Sequence, residues 1–415
     1  MINSTPEVRK ELSDIFTLLS QNLDITKTQY DNLVKSYSAV GKYLEADPVF
    51  APYHPVITPQ GSLRLGTIIQ PINEDDDLDV DLVYRLIEKK ANWTQSDIKS
   101  RVGNRLKEHG TYKDMLDEEG RRCWTLLYRQ DSDNVKEHYH MDILPCVADT
   151  GYTERLQRMV ALSFSAAEVD KIAIRITDNK ASGYYTSTDK GNWMKSNPDG
   201  YAMWFASRCK NAMEMRATIM NTIMPIGTYV AEKSILQRIV QILKRHRDIM
   251  FNGDEDKPIS IIITTLASRA YRGETNLFEG LSNVIDSMEQ YIKKATDGTY
   301  LVENPVNPEE NFADKWITHP KRKENFFKWL RKLKEDKNAI VNLRGVQLRD
   351  RFAGAFGKNV TTRIFGEMTK SHKDNASNGK LRISATGAIG AIGKTLNAHN
   401  TYFGKDCYIF SRPKT

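Results

Sequence analysis

The sequence predicts an α+β protein in two parts, a mixed α/β lobe followed by a helical lobe. Three observations lead there. At 415 residues the chain is longer than one compact core usually runs, so two lobes are the default expectation. Between residues 56 and 177, short apolar runs alternate with turns and one helical stretch,. From Trp204 onward the apolar residues recur at helical spacing,. Composition agrees with a globular chain, 40% hydrophobic and 27% charged,. No apolar run approaches the roughly 18 residues of a membrane span, and residues 1–13 lack the apolar stretch of a signal peptide. A cytoplasmic protein with no membrane partner is therefore expected. The cysteines (Cys123, Cys146, Cys209, Cys407) form no CxxC pair, which argues for reduced thiols and against structural zinc. A net charge of +7 suits a polyphosphate ligand without requiring one,.

Taken in order, residues 7–45 place Leu12, Ile15, Phe16, Leu19, Leu33, Tyr37 and Val40 on helical faces, so one or two amphipathic helices open the chain. Four prolines in 48–59 break that pattern,. Residues 56–86 read as strand, Gly-containing turn, strand, and 97–109 as a helix. Strands follow at 123–129 and 139–147, with a third at 171–177. The Asn-, Asp-, Ser- and Gly-rich stretch 178–200 reads as a long ordered loop or insertion,. Helices are expected at 234–251, 259–271 and, shorter, 326–335. Residues 297–308 read as an extended, proline-punctuated connection. Past Gly345 glycines accumulate and periodicity fades, so that segment has no assigned structure. The expected organisation is a helical segment over 1–48 bridging the lobes, an α/β core over 49–203, a helical lobe over 204–345 and a C-terminal segment over 346–415.

The chemistry is concentrated in Gln60-Gly61-Ser62-Leu63-Arg64-Leu65-Gly66-Thr67 and, shortly after, Leu78-Asp79-Val80-Asp81-Leu82-Val83. A Gly-Ser turn lets backbone N–H groups and a hydroxyl approach a phosphate closely. Two residues apart on a strand, Asp79 and Asp81 point to the same face. Paired carboxylates repel unless a divalent cation lies between them, and hard oxygen ligands with room for phosphates are the Mg²⁺ preference, with Mn²⁺ as the alternative. A third acid for a two-metal site is Asp142 in His140-Met141-Asp142-Ile143-Leu144-Pro145,. A Gly-Ser pair alone is usually only a turn, and Asp75 and Asp76 read as a solvated loop. A register shifted by two would put Asp77 in place of Asp79. His138 and His140 have no third soft ligand spaced to join them, which favours a structural or surface role over zinc. Trp193, Tyr201 and Trp204 read as packing anchors rather than base-stacking rings.

The pattern resembles the polymerase-β-like nucleotidyltransferase superfamily, and within it the bacterial cGAS/DncV-like nucleotidyltransferases (CD-NTases), relatives of oligoadenylate synthetase. The resemblance implies a polymerase-β-like lobe and an oligoadenylate-synthetase-like helical lobe, with the active site in the cleft between them. It implies condensation of nucleoside triphosphates into a cyclic di- or trinucleotide second messenger, with release of pyrophosphate, in anti-phage defence. Catalysis and metal binding would fall to Asp79, Asp81 and Asp142, and nucleotide binding to Gln60, Gly61 and Ser62. By position, Lys244 in Ile239-Val240-Gln241-Ile242-Leu243-Lys244-Arg245-His246 is similar to a phosphate-contacting lysine. From the residues alone, Lys244 sits in a basic cluster that reads as a solvated helix face. Ser260 is similar to a nucleotide-touching position, and it reads equally as a helix N-cap. Asn304 stands where some relatives carry aspartate. The alternative is a related enzyme acting on RNA ends or on a protein acceptor, although RNA tracking usually shows a stronger basic stripe than +7 provides,. Expected partners are ATP, GTP, CTP or UTP; the sequence leaves room for a regulatory protein and gives no reason to expect a stable DNA partner.

Overall fold

A computed structural model of the chain describes residues 5–72, 78–128, 138–149, 173–209 and 232–377, with three two-residue strands beyond. Two helices open it, α1 (Pro6–Asn22) and α2 (Lys27–Glu45). Each begins at a threonine hydroxyl that accepts a first-turn N–H, Thr5 from Val8 and Thr26 from Gln29, satisfying donors that a helix start otherwise leaves unpaired. The two helices serve different cores. α1 buries Leu12, Ile15, Phe16 and Leu19 among the helices of the second lobe, whereas α2 buries Leu33, Tyr37, Val40 and Leu44 against the sheet of the first.

That sheet contains β1 (Val56–Pro59), β2 (Leu78–Leu86), β3 (Trp124–Tyr128), β4 (Tyr139–Ala148), β5 (Ile174–Ile176) and β6 (Met194–Ser196). Its order is β1-β2-β4-β5-β6, and β3 also pairs with β4. β2 and β4 run parallel, and the remaining pairs are antiparallel. β3 covers the first half of one edge of β4 and β5 the second half. A one-turn helix, α3 (Gly61–Arg64), lies between β1 and β2, and α4 (Gln95–Glu108) and α5 (Gly110–Met115) lie between β2 and β3. Residues 178–193 are the ordered loop that their composition suggests, with one short 3-10 turn at Lys190–Asn192, but 194–200 are not. They contribute β6 to the sheet edge and lead into α6 (Pro198–Arg208), whose cap Asn197 accepts the N–H of Gly200. Buried Arg175 orders the stretch, donating to Asp149 at 2.6 Å and to the carbonyls of Gly191 and Trp193 at 2.9 and 2.8 Å.

The second lobe contains α6, α7 (Ile235–Met250), α8 (Ser260–Ala270), α9 (Leu277–Ser287), α10 (Pro320–Asn342), α11 (Gly345–Phe356) and α12 (Lys358–Ser377). The connection expected to be extended is two hairpins, β7 (Lys293–Lys294) with β8 (Tyr300–Leu301) and β9 (Glu303–Asn304) with β10 (Asn307–Asn311). α10 runs well beyond the expected 326–335 at both ends. Past Gly345 the chain is helical, and Phe352 and Phe356 set their rings 5.1 and 5.7 Å from Phe16. The second core therefore continues beyond residue 345. Beyond α12, β11 (Arg382–Ile383) pairs with β12 (Ile389–Gly390) and β13 (Thr395–Leu396). Among the described residues no helix is long and apolar enough to cross a membrane.

Asp24, just past α1, fastens the lobes together. Its carboxylate accepts from Lys233, from Arg238 at 2.6 Å and from Gln241 at 2.8 Å, while its carbonyl accepts from Gln70 at 3.3 Å. Asp24→Ala would strand two nearly buried cations, a defect of about 3 kcal/mol. The expected result is a lower midpoint of urea unfolding with little change in its slope. An unchanged midpoint would show that the cluster contributes nothing to stability.

Candidate active site

Strand period builds the site. Leu78, Val80, Leu82, Tyr84 and Leu86 turn into the core shared with α2 and α4, so Asp79, Asp81, Val83 and Arg85 turn to the opposite face. On β4, Tyr139, Met141, Ile143 and Val147 enter the same core, leaving His140, Asp142, Leu144 and Cys146 on the opposite face. The parallel register sets Asp79 opposite His140 and Asp81 opposite Asp142, with strands about 4.8 Å apart. Further along, this face becomes a small apolar cluster of Val83, Leu144, Cys146, Ile174 and Ile176. The acids thus lie at the start of the parallel strands, beside a dry floor. On β3, Thr125 stands opposite Asp142 and its Oγ1 donates to Asp142 Oδ1 at 2.5 Å, which fixes the carboxylate's rotation. Residue 77 lies outside the described residues.

The Gly-Ser turn packs directly on this pair. The N–H of Gln60 donates to the Asp81 carbonyl at 2.8 Å. Gly61 has φ +61°, and a Cβ there would lie 2.2 Å from Asp81 Oδ2, so both the backbone and the available space require glycine. Ser62 is the second residue of α3.

Beyond the turn, the chain is gripped by one face of α7. Gln237 donates to the Leu65 carbonyl at 2.9 Å, Gln241 to Ile68 at 2.9 Å, Lys244 to Thr67 at 3.0 Å and Arg245 to Gln70. Lys244 is therefore buried against the first lobe and does not lie on a solvated face. Ser260 is not the N-cap of α8. Ile259 holds that position without a side-chain bond, and Ser260 Oγ accepts from Arg247 at 2.8 Å. Arg247 also donates to the Pro258 carbonyl at 3.0 Å, and its role was invisible in the sequence because its partners lie 11 and 13 residues away. Trp193 sits in the first core. Tyr201 bonds Thr265 at 2.8 Å and lies 5.3 Å from the Trp204 ring, so these rings do pack the interior.

Burial pushes the Asp81 carboxyl up to about 6, with Asp142 and then Asp79 adding repulsion and Lys244 opposing it. Asp79 is exposed on the strand, yet the cleft around it restricts its hydration and raises its carboxyl; His140 opposes the shift and Asp142 adds to it. Lys244 is lowered to about 8, mainly by burial and then by Arg247, while Asp248, Asp79 and Asp81 hold it up. Clustered carboxylates that resist ionisation fit a divalent cation, which would relieve the repulsion. Among the described residues no three His, Cys, Asp or Glu side chains enclose an ion by themselves. Such an ion would complete its shell with phosphate oxygens and water, as Mg²⁺ commonly does.

Two cavities meet here. The larger, of about 660 Å³, is lined by Gly61, Ser62, Asp79, Asp81, Lys244 and Ser260, among others. The smaller, of about 410 Å³, runs from Gln60, Gly61 and Asp81 to Tyr201, Phe312 and Glu310. Gly61, Leu65, Asp81, Lys257 and Ile261 belong to both. Asp142 meets Asp81 across the strand pair rather than at either cavity wall. Thr125, Arg247, Lys257 and Glu310 join the site without having been singled out from the sequence. For Thr125 the one available signal was a polar residue at alternate position in Trp124-Thr125-Leu126.

Residues 11–158 match the family described as Second Messenger Oligonucleotide or Dinucleotide Synthetase domain. A c-di-GMP synthase of Roseivirga ehrenbergii is 28% identical over 410 residues, covering 96% of this chain and 99% of that protein. Among solved structures, the Bradyrhizobium diazoefficiens CD-NTase CdnG in complex with GTP superposes with a TM-score of 0.64 at 19% identity, over 86% of this chain and 99% of that one. The Vibrio cholerae di-nucleotide cyclase DncV gives a TM-score of 0.51 at 15% identity, over 85% and 88%. At these identities the structural likenesses establish the fold, polymerase-β-like with a helical second lobe.

Proposed function

We propose that this chain, which is similar to the cGAS/DncV-like nucleotidyltransferases (CD-NTases), condenses nucleoside triphosphates into a cyclic oligonucleotide signal. The observation that carries the proposal is Asp81 and Asp142 side by side on parallel strands, with the Gly61-Ser62 turn packed on Asp81 where two cavities meet. In the reaction, a ribose hydroxyl oxygen of one nucleotide attacks the α-phosphorus of another. The bond from that phosphorus to the bridging oxygen breaks, and pyrophosphate leaves with the electron pair. The Gly61-Ser62 turn orients the triphosphate. Asp142, its rotation set by Thr125, faces the site from the strand beside Asp81 and takes the hydroxyl proton. Lys244 gives one N–H to Thr67 and has two more for phosphate oxygens. Held by Asp79, Asp81 and Asp142, Mg²⁺ or Mn²⁺ would supply neutralisation of phosphate charge and acidify the attacking hydroxyl. A second passage of the linear product through the site closes the ring. The likeness to a c-di-GMP synthase supports a dinucleotide ring, and the resemblance to the CD-NTases supports a role in anti-phage signalling.

The test is incubation with labelled ATP, GTP, CTP and UTP, singly and mixed, with Mg²⁺ or Mn²⁺, followed by phosphatase treatment and mass spectrometry. A phosphatase-resistant product of two or three nucleotides, missing with Asp79→Ala/Asp81→Ala protein, is the expected result. Nucleotides added instead to RNA ends or to a protein acceptor would establish the alternative. Lys244→Gln is expected to raise KM for triphosphate about tenfold by removing a charge-assisted contact. Steady-state kinetics showing an unchanged KM would confine Lys244 to holding Thr67.

A further inference from the structure

The smaller cavity carries a chemical feature that phosphoryl joining does not itself need. We propose that Glu310, held by Asn304, accepts hydrogen bonds from the donor edge of a guanine base in this cavity and so selects guanine over adenine. The assignment deepens the nucleotidyltransferase reading and rests on it.

Glu310 lies on β10, and Asn304 on the paired strand β9. Asn304 is buried, and its amide orientation is fixed at both ends. Its Oδ1 accepts the N–H of Val306 at 3.0 Å, and its Nδ2 donates to Glu310 Oε2 at 2.8 Å. A flipped amide would set an NH₂ against the Val306 N–H. The carboxylate is thereby held against a wall of the cavity. Its neighbour Glu309 turns away to pair with Lys195 at 2.9 Å. Burial pushes the Glu310 carboxyl upward, and the Asn304 and Asn307 amides pull it back toward its ionised form.

An ionised carboxylate only accepts hydrogen bonds, through about four lone-pair sites, so amide contacts leave acceptor capacity for a ligand. Guanine presents N1–H and N2–H₂ side by side, two donors at the spacing of two carboxylate oxygens. Adenine presents a bare N1 at the same edge, which would face the carboxylate lone pair to lone pair. The cavity also suits a flat base. Met194 and Ile259, among the few large apolar side chains left exposed, both line it, together with Phe312 and Tyr201. Its other end is Gly61 and Asp81, where the phosphates of the same nucleotide would lie.

The test is calorimetric binding of the α,β-methylene triphosphates of guanosine, inosine and adenosine, which cannot release pyrophosphate, to wild-type, Glu310→Gln and Glu310→Asp proteins. Inosine lacks only the N2 amino group. The wild type is expected to prefer guanosine over inosine by about tenfold, and over adenosine by about a hundredfold. In both variants those ratios should collapse toward one. A merely structural role for Glu310 would weaken all three ligands alike, and ratios that persist in the variants would overturn the proposal. So would a wild type with no preference for guanosine. Turnover of GTP is measured separately: guanosine preference without any joined product would sink the nucleotidyltransferase reading and leave the base assignment standing.

Discussion

Asp81→Asn is expected to lower turnover by about three orders of magnitude while leaving the folded protein at least as stable. The substitution removes a charge at the point where both cavities and the Gly-Ser turn converge, and losing one electrostatic element of such a site typically costs about a hundred- to a thousandfold or more. Stability should move the other way. In the metal-free protein, burial and two neighbouring carboxylates raise the Asp81 carboxyl to about 6, above its unfolded value. The folded state then binds the proton more tightly than the unfolded state, so this group favours folding at low pH. That contribution is lost as pH climbs from about 4 to about 6 and stays lost above. The full difference is on the order of 2–3 kcal/mol. With EDTA present, Asp81→Asn should therefore melt higher than wild type at pH 7.5 and nearly level with it at pH 4. Equal melting temperatures at both pH values would contradict the crowding of acids described here. Retained turnover would remove Asp81 from the chemistry.

The second large effect is expected from one methyl group. Gly61→Ala should reduce kcat/KM by a hundredfold or more, a larger loss than its effect on stability would suggest. The backbone there sits at φ +61°, which costs an L side chain about 1–2 kcal/mol. The new Cβ would also fall 2.2 Å from Asp81 Oδ2, so the carboxylate has to rotate away from its place beside Asp142. Gly366→Ala on α12, where an added Cβ meets nothing within 4 Å, is the control and should stabilise slightly through helix propensity. Kinetics on both proteins decide the matter. Comparable activity in the two variants would mean that the turn adapts and Asp81 keeps its position.

The acids were legible because their signal is local. Asp79, Asp81 and Asp142 interrupt apolar strands at a period that the pleat itself imposes, and that placement needs no knowledge of distant residues. For Ser260 the sequence left an N-cap and a nucleotide contact equally open, because its partner, Arg247, comes from the preceding helix. Lys244 looked solvated in the sequence because a basic cluster says nothing about Thr67, a carbonyl 177 residues away. β6 escaped notice because three residues cannot display a strand period. The helices after Gly345 were hidden by glycines, although Leu348, Phe352, Ala355 and Phe356 do fall on one buried face. Both cavities depend on how two distinct cores meet, and no stretch of sequence encodes that meeting on its own.

The row of bonds from α7 to the chain beyond the Gly-Ser turn has a mechanical consequence. Leu65, Thr67, Ile68 and Gln70 each hand a carbonyl to the same helix face. Sliding or parting the lobes along that line would strand several polar groups at once, each at a cost of about 1–3 kcal/mol. The line therefore resists parting of the lobes along this side. On the far lip of the smaller cavity, by contrast, Met194 and Ile259 are exposed.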